Sequence, residues 1–177
     1  MKKIIILIPV FNDWESLIKL LNEINQNIKD IKNCNFNCII INDSSTVKQP
    51  KIFKPSEIKS LKIINMKNNK GHARCNAFAI RYIDINEKFD YAILMDGDGE
   101  DRPLEIKGLV QEIKKDPNTS VVAKRIKRSE GPIFQLMYQI HKFITFTFTG
   151  KRINFGNYSC LTKEDIKILF DKESLWS

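Results

Sequence analysis

The first half of the chain alternates short apolar runs with longer stretches in which apolar residues recur every three or four positions. Lys3 to Pro9 (KIIILIP) is a β-branched run that fits a strand buried on both faces. Asp13 follows as a helix N-cap, and Trp14, Leu17, Ile18, Leu21, Ile24 and Ile28 fall on one face of the helix it starts. A second run, Phe36 to Ile41, ends in Asn-Asp-Ser-Ser. A third, Leu61 to Met66, ends in Lys-Asn-Asn-Lys-Gly and leads into a helix expected to turn Ala73, Ala77 and Ile80 inward, with Tyr82 or Ile83 continuing that face. A fourth, Tyr91 to Met95, ends in Asp-Gly-Asp-Gly-Glu-Asp. Pro103 then stands where a helix favours it, ahead of a buried stripe of Ile106, Leu109, Val110 and Ile113, and a fifth strand is predicted over Ser120 to Ala123. Strands separated by helices predict an α/β fold, a parallel sheet wrapped by helices that binds ligands at the carboxyl ends of its strands.

The second half is less regular. Lys124, Arg125, Lys127 and Arg128 precede a Gly-Pro and an apolar segment, Ile133 to Phe148, whose polar positions form a narrow helical stripe while its last stretch (ITFTFT) alternates like a strand. Phe155 to Leu161 is expected to return to the sheet, and Lys163 to Phe170 to form a short helix.

Composition narrows the class. With 177 residues, 42% of them hydrophobic, the chain is one domain able to bury its own core without a disulfide or metal staple. Lys and Arg number 29 against 21 Asp and Glu, so the net charge of +8 favours an anionic partner: nucleic acid, nucleotide, phospholipid or phosphorylated substrate. The cysteines at 34, 38, 75 and 160 lack zinc-ligand spacing, and neither His72 nor His141 completes one, which predicts free buried thiols in a reducing cytosol. No apolar run approaches the ~20 residues that span a bilayer, and Ile4 to Val10 lacks a cleavage site. The expectation is a cytoplasmic chain, neither secreted nor membrane-spanning.

Candidate chemistry collects at the strand ends. Asp96-Gly97-Asp98 places two carboxylates where they can approach one hard cation that keeps sites for phosphate oxygens. The same residues also suit an ordinary acidic turn. A calcium loop fails, because its sixth position is Asp101 and its twelfth Lys107. The first strand ends Pro9-Val10-Phe11-Asn12-Asp13, an aromatic ring for a base with a carboxylate beside it. The second ends Asn42-Asp43-Ser44, an acid able to accept from a base or ribose. The third ends Asn69-Lys70-Gly71, a cation with free amide donors at a helix N-terminus. Taken singly, Asp13 is an N-cap, Asp43 a turn residue and Gly71 a helix entry. Taken together on one sheet edge, they describe a site for a nucleoside diphosphate held through a divalent metal.

In order and spacing, I-P-V-F-N-D, I-N-D-S-S, N-K-G-H-A-R-C-N-A and L-M-D-G-D-G-E-D-R-P resemble the family 2 glycosyltransferases, especially the dolichyl-phosphate mannosyltransferase-like branch, over about residues 3 to 128. The resemblance implies a GT-A, Rossmann-like, open twisted and mostly parallel sheet with helices on both faces. It implies transfer of a hexose from a UDP- or GDP-sugar to polyprenyl phosphate or a cell-envelope glycan, with Mg2+ or Mn2+ as cofactor. Pro9, Phe11 and Asp13 are implied to line base and ribose, with Ile41 and Asp43 completing the nucleoside pocket; Lys70 and Gly71, at the end of the third strand, are further nucleotide-sugar-binding candidates. Asp96 and Gly97 are implied to contact ribose and diphosphate, and Asp98 to ligate the metal, with Asp96 and Glu100 as further ligands; Glu100 stands where the family often has Gln. Arg125, after the fifth strand, is the candidate arginine beside the diphosphate.

The sequence departs from the family's pattern in places. Asn42 stands where many relatives have Asp, and the family's Ser-Gly-Phe-Arg-like stretch appears only as Gly156-Asn157-Tyr158-Ser159. The chain stops at Leu175-Trp176-Ser177, where the start of another element is expected. The expectation is therefore a single catalytic domain truncated at its C-terminus, with 1–128 as the nucleotide-sugar part and 129–177 as an incomplete acceptor and membrane-proximal part. The basic cluster and the aromatics between Lys124 and Lys151 fit contact with an anionic membrane at its cytoplasmic face, and equally fit packing on the sheet. Two other classes compete: a metal-dependent nucleotidyltransferase, which usually shows a glycine-rich signature near the first strand, and a non-catalytic nucleotide- or RNA-binding module. Nucleic acid is disfavoured because RNA readers use an exposed sheet face, and these strands read as buried.

Overall fold

The computed structural model describes residues 1–124 and 155–170. Arg125, the remainder of the basic cluster and the apolar segment 133–148 lie outside the described residues. The elements are β1 (Lys2–Val10), α1 (Trp14–Ile28), β2 (Cys34–Asn42), β3 (Ile58–Asn65), α2 (His72–Asn86) and β4 (Tyr91–Leu94). A 3₁₀ turn, Pro103–Glu105, leads into α3 (Ile106–Lys115), followed by β5 (Val121–Lys124), β6 (Phe155–Thr162) and α4 (Lys163–Phe170). One six-stranded sheet runs β3-β2-β1-β4-β6-β5. The β1–β2, β1–β4 and β2–β3 pairs are parallel, whereas β6 lies antiparallel between β4 and β5. The mostly parallel α/β reading therefore holds, with an antiparallel insertion that chain order alone does not announce.

The continuous apolar run of β1 has its cause in two helical layers. Ile4, Ile6, Ile8 and Val10 pack with Trp14, Leu17, Leu21 and Ile24 of α1 and with Ile106, Val110 and Ile113 of α3. Ile5 and Leu7 face the other way, toward Cys75, Ala79 and Ile83 of α2 and Ile166 of α4. The stripe of α3 is buried as its spacing predicts. In α1, Leu20 is buried and Ile18 only partly so. α2 corrects the expectation more: Ile83 is buried as expected, but its other buried residues are Cys75, Asn76 and Ala79, while Ala73 is exposed and Ala77 and Ile80 are partly covered. Small and apolar residues surround this helix, so its pattern selects no single face, and packing on the sheet sets its rotation.

All four cysteines are free and buried, as expected. Burial pushes the Cys38, Cys75 and Cys160 thiols up to about 12, which removes the reactive thiolate at neutral pH. Among the described residues no helix is long and apolar enough to cross a membrane.

Candidate functional site at the carboxyl ends of the strands

The chain winds from β1 through β2 to β3 on one side, then crosses by α2 to β4 on the other side of β1, so strand order reverses between β1 and β4. Open α/β sheets hold ligands in the crevice at such a reversal. The end of β4 is fitted closely against β1 there. The Met95 N–H donates to Leu7 O at 3.1 Å, and a Cβ placed on Gly97 would lie 2.5 Å from Pro9 O and 3.3 Å from Ile8 Cγ2. Only glycine lets this segment pass.

Beyond that contact the acids divide. Asp96 is half-buried; its N–H donates to Asp101 Oδ2 at 2.8 Å, and its Oδ1 lies 3.2 Å from His72 Nε2 at the start of α2. Asp101 is buried and anchors the turn. Gly99 takes the left-handed conformation at φ 82°, and exposed Asp98 accepts the Glu100 N–H at 2.9 Å. Asp98 and Glu100 therefore face solvent while Asp96 is held from behind. Among the described residues no group of three or more His, Cys, Asp or Glu is arranged to hold a metal ion.

The other strand ends show which expected residues form the surface and which form its foundation. Phe11 is 47% exposed, and Asp13 is an exposed N-cap whose Oδ1 accepts the Ser16 N–H at 3.2 Å. Pro9 and Ile41 are buried, Ile41 in the core, so its side chain does not line a pocket. Asp43 is 3% exposed, and its two oxygens accept the N–H groups of Lys70 and Gly71, each at 2.8 Å. Those amides are consequently taken by Asp43 and are not the free donors expected of them, although Lys70 and Gly71 themselves lie at the surface. Asp43 is a buried clamp joining the end of β2 to the entrance of α2.

Several contributors escape a reading by motif. Asn42 Nδ2 donates to Asn65 Oδ1 at 2.8 Å while its Oδ1 accepts the Ser45 N–H at 2.9 Å, so the amide uses both a donor and an acceptor where an aspartate has acceptors alone. Asn12 Oδ1 accepts from the loop after β2. His72 Nε2 lies 3.0 Å from Asn76 Nδ2, and Asn76 Oδ1 is buried with no hydrogen-bond partner among the described residues. Which of the two groups acts as donor in the His72–Asn76 contact follows from the imidazole tautomer. The antiparallel course of β6 pairs Ser159 with Leu94, which brings residues 156–159 to the same edge, and Tyr158 Oη donates to Arg102 O at 3.0 Å. Burial, with Glu105 and Asp101 nearby, raises the Tyr158 hydroxyl well above its usual range and keeps it a neutral donor.

Comparison with known proteins completes the description. The sequence model of glycosyl transferase family 2 matches residues 5–176. An uncharacterized protein of Methanocaldococcus jannaschii is 25% identical over 149 residues, 82% of this chain and 60% of that protein. The chain thus spans about 60% of the length of that curated relative. A mannosyltransferase from Pyrobaculum calidifontis, in complex with GDP-Man and Mn2+, superposes with a TM-score of 0.61 at 14% identity, covering 94% of this chain and 46% of that one. Glucosyl-3-phosphoglycerate synthase from Mycobacterium tuberculosis, in complex with UDP, gives 0.60 at 11% identity, covering 92% and 57%. TarS from S. aureus in complex with UDP-GlcNAc gives 0.54 at 17% identity, covering 73% and 36%. These likenesses establish the fold as that of the GT-A glycosyltransferases.

Proposed function

The chain belongs to glycosyl transferase family 2, and on that footing we propose that it carries the nucleotide-sugar half of a hexosyltransferase using a UDP- or GDP-sugar. The observation that carries this reading is the D-G-D segment, locked against β1 by the Gly97–Pro9 approach and presenting Asp98 outward at the strand-order reversal. The nucleotide-sugar complexes of the structural relatives support the ligand class. Phe11 stacks on the base, Asp13 meets base or ribose, and Asp43 acts indirectly by fixing the Lys70-Gly71 entrance.

Asp96 and Asp98 are hard oxygen donors, and a cation such as Mg2+ or Mn2+ commonly takes one or two carboxylates and fills its remaining sites with water and phosphate oxygens. The donor set fits such an ion without a third protein ligand. When bound, that ion offsets the negative charge that develops on the leaving diphosphate. The Asp96 backbone is anchored by Asp101 and its carboxylate lies beside His72, while Asp98 and Glu100 face the ligand. Arg125, assigned to the diphosphate from its place after β5, lies outside the described residues.

The acceptor we favour is polyprenyl phosphate, with a cell-envelope glycan second. A hydroxyl acceptor normally needs a carboxylate base, whereas a phosphate is already ionised. Glu164 and Asp165 lie on α4, and α4 follows Thr162, which pairs with Tyr91 at the opposite end of β4 from Asp96. Asp165 is also bonded by Ser120 Oγ. Coverage of β1 on both faces counts against a sheet-face RNA reader.

Thermal-shift measurements with UDP- and GDP-sugars, with and without Mn2+, test the reading. Stabilisation should require the metal and disappear in Asp98→Ala, read as the shift from that variant's own ligand-free melting temperature. No response to any nucleoside diphosphate sugar overturns it.

A further inference from the structure

We propose that Asn12 is a positioning residue that latches the loop after β1 to the loop after β2, so that Phe11, Asp13 and the Asp43 turn behave as one rigid nucleoside-side rim. This rests on the nucleotide-sugar reading above and extends it to a residue that makes no ligand contact. Asn12 Oδ1 accepts the N–H of Thr46 at 2.7 Å and that of Val47 at 3.0 Å, with Thr46 Oγ1 at 3.3 Å. The Asn12 N–H donates in return to Ser45 Oγ at 2.8 Å. An asparagine serving only as a turn former bonds its own backbone about two residues on. Here every partner belongs to a different loop, more than thirty positions away in sequence. The loop after β2 is tied again to the start of α1 by Trp14 Nε1 donating to Val47 O at 3.2 Å, and Ser45 N–H is itself fixed by Asn42 Oδ1.

Backbone and side chain make one device. Asn12 sits at φ 60°, a left-handed conformation that asparagine tolerates better than most residues, and this turns the side chain back toward residues 45–47. Phe11 immediately before it remains 47% exposed, and Asp13 immediately after it caps α1. Two flanking residues assigned to the nucleoside are therefore oriented by a third whose own polar atoms point away into the neighbouring loop. Ordering that rim before the ligand arrives removes part of the cost of binding.

Three variants separate the latch from the turn. The backbone N–H that donates to Ser45 Oγ is common to all three; Asn12→Asp also keeps the accepting oxygen and tolerates the backbone angle, Asn12→Gly keeps the angle without the oxygen, and Asn12→Ala keeps neither oxygen nor angle. Affinities for UDP and GDP are measured by calorimetry, with uridine and guanosine as uncharged probes to cancel the added carboxylate. Amide hydrogen exchange at Thr46 and Val47 is followed in parallel. The expected result is nucleoside affinity within about threefold of the parent for Asn12→Asp, and a loss of roughly tenfold for both Asn12→Gly and Asn12→Ala. Thr46 and Val47 should stay protected in the first variant and lose protection in the other two. Glycine performing as well as aspartate, or alanine binding like the parent, overturns the latch. A parent protein that binds none of the probes overturns the nucleotide reading and the rim's role in it, while the exchange pattern still decides the latch itself.

Discussion

At the scale of single residues, the D-G-D motif separates into three jobs. Asp98 is presented, Asp96 is anchored by Asp101 with His72 beside it, and Gly97 is the absence of a side chain at a point where backbone meets backbone. The glycine's value lies in close approach, since nothing flexible could move out of the way of a Cβ 2.5 Å from Pro9 O. Gly97→Ala should destabilise the protein by about 1–3 kcal/mol, as overpacking does, and should weaken nucleotide-sugar binding because the acids ride on the displaced segment. Chemical denaturation and ligand titration of the same variant check both effects. An unchanged midpoint would mean that β4 and β1 can separate freely at this end. The motif was legible because its members are adjacent. His72 was not, because its partner arrives through the crossover from β3 to β4, and imidazole in a helix's first turn carries no signal of what it will face.

At the scale of elements, the start of α1 carries a double duty that substitution can divide. Asp13 caps the helix through the Ser16 N–H and is also assigned to base or ribose. Serine caps about as well as aspartate but has no charge. Asp13→Ser should therefore melt within about 0.5 kcal/mol of the parent, while Asp13→Ala loses about 1 kcal/mol. Both should bind nucleotide sugar more weakly, and equal affinity for the serine variant would confine Asp13 to capping. The apolar spacing of α1 and α3 was legible because polar residues separate the stripes. That of α2 was not, since Cys75 and Ala79 had to be told from Ala73 and Ala77 by what lay beneath them. Strand β6 was expected, but its seat between β4 and β5 depends on pairings between distant segments.

Across the whole molecule, the two edges of the sheet do different work. At the carboxyl edge, the buried polar side chains Asn42 and Asp43 and the exposed acids Asp13 and Asp98 gather around the candidate site. At the opposite edge, Asp90 staples β4 to β1, accepting from Lys3 N–H at 2.7 Å and Lys2 Nζ at 2.9 Å. Partial burial alone would raise the Asp90 carboxyl, but the Lys3 N–H and the Lys2 ammonium together hold it below its usual value. A carboxyl lowered in the folded state contributes stability above its unfolded value, near 3.8, and that contribution is lost as pH falls below it through the folded value. Asp90→Asn should therefore cost stability at neutral pH and progressively less as the pH drops to about 3. Urea midpoints measured against pH check this, and a pH-independent penalty would assign Asp90 a role unrelated to its charge.

The sequence by itself determined the alternation of strands and helices, the burial of β1 and β2 on both faces, the free buried thiols, and the placing of acids, an aromatic and a helix entrance after consecutive strands. Each of these is set by near neighbours, through side-chain periodicity or turn chemistry, and can be read without knowing the partner. Only the tertiary structure decided the rotation of α2, the insertion of β6, the use of Asp43 as a clamp and not a free acceptor, and the bonding of Asn12 and His72 across loops. Hydrogen bonds are directional and short, so which donor an exposed-looking Asp or Asn meets depends on how distant strand ends are brought together.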